Sequence, residues 1–187
     1  MISFAIETDR LILRDMRNTD LDNMFRLDSS PLVHQYLGNK PFTDKSQSQN
    51  YINEVIEDYK RYGISRLVVE EKDTGHFIGW SGLRFYNKKH QYNGNYNFFD
   101  VGYRLLPEFW GKGYATESAK ASLDYGFNTI GLNVIYGITE KENEASHKVL
   151  LKIGLNYTVD FYEDKLKKEL RWYELKKIDY EKEMSRV

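Results

Sequence analysis

The stretch that most constrains this chain lies between residues 100 and 127. Asp100-Val101-Gly102-Tyr103-Arg104-Leu105 is built from strand-forming residues, and Pro107 ends the strand because it has no N–H to donate to a ladder. Past Gly111 and Gly113, residues Ala115, Ala119, Leu123 and Phe127 recur every four positions, which places one apolar stripe on a single helix face. Between strand and helix, the two glycines let consecutive backbone N–H groups converge at the positive end of the helix dipole, an arrangement that holds phosphate without side-chain charge. Gly111, Lys112, Gly113, Tyr114, Ala115 and Thr116 are therefore a candidate pyrophosphate cradle, against the plainer reading of a tight connection with no ligand.

Two familiar phosphate motifs do not fit. A dinucleotide fingerprint wants a third Gly or Ala where Thr116 stands, and a P-loop wants four residues between its glycines followed by Lys-Ser or Lys-Thr. Downstream, Asn133-Val134-Ile135-Tyr136-Gly137-Ile138-Thr139 reads as a strand, so strand, cradle, helix and strand form a βαβ unit with parallel strands. Ala145, Val149 and Ile153 then mark another helix, stopped by Gly154.

These two segments resemble motifs A and B of the GCN5-related N-acetyltransferases (GNAT), in particular the RimJ/RimL-like branch that acetylates N-termini of ribosomal proteins. Motif A, Gln/Arg-x-x-Gly-x-Gly/Ala, falls on Trp110, Gly113 and Ala115, with Trp110 in place of Gln or Arg. Motif B falls on Asn143, Ser146, Val149, Lys152 and Gly154, with Leu155 in place of Phe. The opening Thr8-Asp9-Arg10-Leu11-Ile12-Leu13-Arg14 is similar to the start of that branch, and the likeness runs to about Ile178.

The resemblance implies an α/β chain with the GNAT fold, a mixed, mostly antiparallel sheet splayed at the CoA site and flanked by helices. It implies acetyl-CoA as cosubstrate, with pantetheine along Tyr103, Arg104 and Leu105, pyrophosphate on residues 111–116, and Trp110, Asn143 and Ser146 also on the cofactor surface. The tyrosine that many members use to protonate the leaving thiolate is Leu150 here. Ser146, a turn earlier, is the candidate donor, weighed equally against a small residue that merely lets CoA approach. Asp100 stands where relatives often carry Glu, as a general base or as a carboxylate that only attracts the cationic amine.

The expected reaction is direct attack of a primary amine on the thioester. An α-ammonium has a pKa near 8 and a lysine ammonium one near 10.4, so with one plausible carboxylate in view a protein or peptide N-terminus is the favoured acceptor. A polyamine, aminoglycoside or amino acid acceptor is the alternative, as is a CoA-binding module without turnover.

Composition narrows the rest. The chain has 187 residues, suited to a single domain spanning 1–187, with a net charge of -1, which gives no basic footprint for nucleic acid. Zero cysteines exclude disulfides, thiolate metal ligands and a cysteine nucleophile, and nothing in the sequence calls for a metal. The absence of a signal-like segment or a long apolar run points to a cytoplasmic protein without membrane contact, as monomer or homodimer.

Elsewhere, residues 8–14 read as a first strand, and Asn18-Thr19-Asp20 as the cap of a short helix carrying Leu21, Met24 and Phe25. Residues 29–44, broken by Pro31, Gly38 and Pro41, have no clear period; by resemblance they wall the acceptor side, where His34 and Tyr36 are candidate substrate contacts. Thr43 or Asp44 caps a helix with Ile52, Val55, Ile56 and Tyr59 inward and Glu54, Glu57 and Asp58 outward. Residues 65–71 and 77–83 form a hairpin, and 87–97 a polar loop expected to be mobile and beside the site. Closing strands over 157–162 and 170–176 flank a turn with Lys165, Lys167 and Lys168, read as solvated rather than as a 3′-phosphate contact.

Overall fold

A computed structural model describes residues 4–185. An eight-stranded sheet has the order β1-β2-β3-β4-β5-β6-β8-β7. The strands are β1 (Ala5–Glu7), β2 (Leu11–Arg14), β3 (Arg66–Glu71), β4 (Phe77–Tyr86), β5 (Phe98–Leu105), β6 (Val134–Glu140), β7 (Asn156–Glu163) and β8 (Lys168–Lys176). The helices are α1 (Leu21–Asp28), α2 (Pro31–His34), α3 (Lys45–Tyr62), α4 (Tyr114–Asp124), α5 (Glu144–Lys152) and α6 (Lys177–Met184). Every neighbouring pair is antiparallel except β5 and β6, which run parallel and meet in register only at Asp100 and Tyr136. Beyond that point the two strands part, as the resemblance implied.

Side chains alternate across a strand, so the sheet has two distinct faces. On one, Met24 and Leu27 of α1 and Ile52 and Val55 of α3 pack on Val68 and Trp80. On the other, Leu123 of α4 and Leu150 and Ile153 of α5 pack on Leu83, Val101 and Ile135. Asp44 caps α3 by accepting from the Ser46 N–H at 2.7 Å, the Gln47 side chain accepts from the Asp44 N–H at 3.1 Å, and Gly63 ends the helix with φ 77°. Of its expected outer face, Glu54 and Glu57 are exposed, but Asp58 is half-buried beside Arg84.

Several boundaries differ from expectation. Residues 8–10 form a turn, with the Thr8 N–H bonded to Leu11 O at 2.9 Å, so the first predicted strand is shortened and β1 precedes it. The motif A helix gives way at Tyr125–Thr129 to a wider π turn, which still buries Phe127. The tail beyond the likeness forms α6, whose Tyr180 ring lies 4.9 Å from that of Phe127. The 87–97 loop leads into Phe98, so it sits at the end of β5 remote from the cradle, held by a Tyr92–Asn95 bridge. No helix among the described residues is long and apolar enough to cross a membrane.

Gly79 fixes how closely β4 and β5 approach next to the splay, because a Cβ there would stand 2.1 Å from the Arg104 carbonyl oxygen. Backbone cannot yield as a flexible side chain can, so Gly79→Ala is expected to lower stability by about 3 kcal/mol. Urea unfolding with an unchanged m-value checks this.

Candidate active site

The cradle is open and uncapped. Gly111 and Gly113 have φ of 73° and 83°, conformations that L side chains rarely adopt, and both are exposed. No side chain caps α4, and its first backbone bond runs from the Glu117 N–H to Gly113 O at 3.0 Å, so the N–H groups of Tyr114, Ala115 and Thr116 face out of the helix end. α5 differs, since Asn143 Oδ1 accepts from the Ser146 N–H at 3.0 Å. Trp110 is exposed at the cradle's edge, its indole N–H bonded to Leu105 O at 2.8 Å, and Lys112 Nζ lies 5.2 Å from the Phe109 ring centre. The Tyr114 side chain is buried in the core, which leaves its backbone N–H for a ligand.

One element at the cradle was not apparent from sequence. Arg10 donates to Lys112 O at 3.1 Å and to Glu117 at 2.7 Å, while Thr8 donates to Glu117 at 2.6 Å. The turn before β2 thereby fastens the first turn of α4 and adds a cation beside the phosphate position. Despite partial burial, the Thr8 hydroxyl, the Arg10 N–H and the Arg10 guanidinium together hold the Glu117 carboxyl below its usual range.

Tyr103 and Arg104 diverge. The Tyr103 hydroxyl donates to the Ser146 carbonyl at 3.1 Å, tying β5 to the first turn of α5 on the α4/α5 face, and burial pushes its own pKa up. Arg104 turns its side chain to the α1/α3 face, where it pairs with the fully buried Asp28 and lies 5.1 Å from the Trp80 ring centre. Only the Arg104 backbone is left for pantetheine, together with Leu105, whose side chain is in the core. Strand alternation already carried this signal.

The structure brings Ser146 beside Tyr103 but separates it from Asp100. Ser146 is half-buried at the start of α5. Asp100 is 5% exposed on the α1/α3 side of β5 and pairs with Arg66 at 2.6 Å. Arg66 passes over Gly102, where a Cβ would meet its guanidinium at 2.8 Å, and also donates to Gly82 O. Burial raises the Asp100 pKa, against the pull of Arg66. Leu150 is buried, as expected of a position without the tyrosine role.

Of the other candidate contacts, His34 is 4% exposed and lies under the segment that follows α2. Tyr36 is half-buried in that segment, and Gly38 reaches across to β6, its N–H bonded to Glu140 Oε1 at 3.2 Å. Lys168 of the basic turn pairs with the same Glu140 carboxylate at 3.2 Å. A concavity of about 880 Å³ lies elsewhere, between α3 and the 87–97 loop, where Arg84 is neutralised by Glu54 and Asp58.

Residues 10–156 match the acetyltransferase (GNAT) domain, and the chain belongs to that family. It is 38% identical over 147 residues to an uncharacterised N-acetyltransferase, p20, of Bacillus licheniformis, covering 78% of this chain and 79% of the relative. It is 30% identical over 144 residues to the spermidine N(1)-acetyltransferase of Escherichia coli strain K12, covering 77% and 72%. A crystal structure of spermidine N-acetyltransferase from Vibrio cholerae, in complex with CoA and spermine, shares the fold at a TM-score of 0.74 and 21% identity, covering 92% of this chain and 99% of that one. The chain is thus a GNAT-type acyltransferase.

Two outcomes test the cradle. Gly113→Ala forces a side chain into the left-handed region and is expected to raise KM for acetyl-CoA about tenfold with little change in kcat. Glu117→Gln is expected to cost about 1 kcal/mol at pH 7. Because the folded-state pKa of Glu117 is depressed, its contribution is full above the unfolded value of about 4.5 and lost as pH falls through the folded one. Parent and variant stabilities, followed by urea unfolding, should therefore converge as acidification passes below that depressed pKa.

Proposed function

We propose that this acyltransferase moves the acetyl group of acetyl-CoA to the α-amine of a protein or peptide N-terminus, by direct attack of the amine on the thioester. Its residues suit the cosubstrate: a glycine turn with outward N–H groups for pyrophosphate, a half-open β5 edge for pantetheine, and a Tyr103–Ser146 junction at the thioester end. The acetyl carbonyl would take a backbone N–H of residues 103–105 as its oxyanion donor. Ser146 would return a proton to the thiolate. That role is modest, because a thiol pKa of about 8.5 already makes thiolate a tolerable leaving group. Asp100, held by Arg66, would act on the amine through its field rather than by direct contact.

The observation that carries the α-amine reading is charge balance on the acceptor face. Asp100 pairs with Arg66 and Asp28 with Arg104, so each of these two buried carboxylates is matched by a guanidinium group. A polycation would want surplus carboxylate. The second reading, a polyamine or other small amine, has its support in the spermidine-acetylating relative.

Thiol release from acetyl-CoA across N-terminal peptides, spermidine and an aminoglycoside separates the two. Peptide turnover is expected, with Ser146→Ala lowering kcat less than about tenfold and Asp100→Asn lowering it more, because it leaves Arg66 buried and unpaired. Turnover of spermidine alone would establish the second reading, and CoA binding with no turnover would leave a binding module.

A further inference from the structure

Arg10 directs its guanidinium at the turn between β5 and α4. Its Nε–H donates to Glu117 Oε2 at 2.7 Å, Nη2 pairs with the same oxygen at 2.6 Å, and Nη1 donates to the Lys112 carbonyl at 3.1 Å. The group also lies 4.6 Å from the centre of the Tyr114 ring, whose hydroxyl donates to Glu71 at 2.5 Å. The backbone beneath it is fixed as well: the Arg10 N–H donates to Glu117 Oε1 at 3.0 Å, and the Arg10 carbonyl accepts from the Lys72 N–H at 2.9 Å. A planar fork is thus held at carboxylate, carbonyl and ring together. The side chain is 48% exposed, and a half-exposed ion pair adds little stability by itself.

The contact with Lys112 is the one that bears on a ligand. No peptide bond among the described residues is cis, and in a planar trans peptide the C=O and the following N–H point in opposite directions. Holding the Lys112 carbonyl on Arg10 therefore turns the Gly113 N–H to the other side, where it has no acceptor among the described residues. Nothing in the local chain fixes this orientation. Rotating the 112–113 peptide by half a turn changes only Lys112 ψ and Gly113 φ, and glycine accepts φ of either sign. The rotated peptide would aim a carbonyl oxygen where an anion is to bind. Arg10 sits at that pivot, its Nη2 3.4 Å from where a Gly113 Cβ would stand.

We infer that Arg10 is a positioning residue for acetyl-CoA, which locks the 112–113 peptide with its N–H toward the pyrophosphate and its carbonyl away. The inference rests on the reading of residues 111–116 as the cradle. Arg10 acts through backbone rather than by touching phosphate, because its donors go to Glu117 and Lys112 and the Glu117 carboxylate balances its charge. Glu117 is aimed in turn by the Thr8 hydroxyl, which donates to it at 2.6 Å. The turn before β2 therefore belongs to the cofactor site without a side chain on the cofactor.

The test is binding to the full chain, by calorimetry and by 1H–15N amide signals, of three probes: CoA, dephospho-CoA, which lacks the 3′-phosphate, and pantetheine, which lacks the pyrophosphate. In the parent, CoA is expected to shift the Gly113 amide signal, assigned from Gly113→Ala. Arg10→Met keeps a stem and removes the donors. It is expected to weaken CoA and dephospho-CoA alike by about tenfold, the worth of one hydrogen bond to a charged group, with pantetheine unchanged. Glu117→Gln is expected to leave CoA binding unchanged or weaker, because it uncovers the Arg10 charge without improving the turn. An unmoved Gly113 signal overturns the inference, and so does tighter CoA binding by Glu117→Gln, which would make Arg10 a charge rather than a brace. A loss confined to CoA would give Arg10 a 3′-phosphate contact in place of this role, and an equal loss with pantetheine would mark general loosening. If Arg10→Met binds CoA as the parent does, the brace falls. Gly113→Ala then decides the cradle, which stands if that variant binds CoA about tenfold more weakly and falls if it does not.

Discussion

The rest of the structure depends on a single parallel contact. β5 and β6 meet at Asp100 and Tyr136 and then part, and the crossover that a parallel pair requires is here the cradle and α4. Parting leaves one edge of β5 without a strand partner just before the glycine turn. The open β5 edge, the outward N–H groups at the start of α4 and the first turn of α5 all border that divergence. A fully zipped sheet with the same helices would have no place for a pantetheine arm.

The divergence also sorts the chemistry by face. Tyr103 and Arg104 are neighbours in sequence, yet one serves the α4/α5 side and the other reaches Asp28 beneath α2. The buried carboxylates Asp28 and Asp100 are each paired with an arginine, which avoids the large cost of an isolated buried ion.

Local signals made much of this readable in the sequence. Pro107, the two glycines and the four-residue apolar repeat defined strand, turn and helix; Thr43 or Asp44 marked a helix start; and the order of motifs A and B pointed to the fold. Pairings between distant positions stayed hidden. Arg10 and Glu117 are joined by several hydrogen bonds, but nothing in either neighbourhood specifies the other. Asp28, His34 and Trp80 come from α1, α2 and β4, and the middle one sits in a stretch broken by Pro31, Gly38 and Pro41, where periodicity has no purchase. The short β1 gave too few residues to show alternation, and α6 has almost no amphipathic pattern, with Tyr180 packing on the core beside Phe127.

Arg66, Gly82 and Gly102 occupy one row across three strands, with the arginine lying over Gly102 to reach Asp100, while a Cβ at Gly82 would meet the backbone of Ser65 and Arg66. That row couples the positions in descent. A side chain at 102 becomes acceptable only once Arg66 has been shortened, and shortening Arg66 strands Asp100 as a lone buried carboxylate. Single substitutions at any of the three are thus traps, and a lineage can leave this arrangement only by changing several positions nearly together.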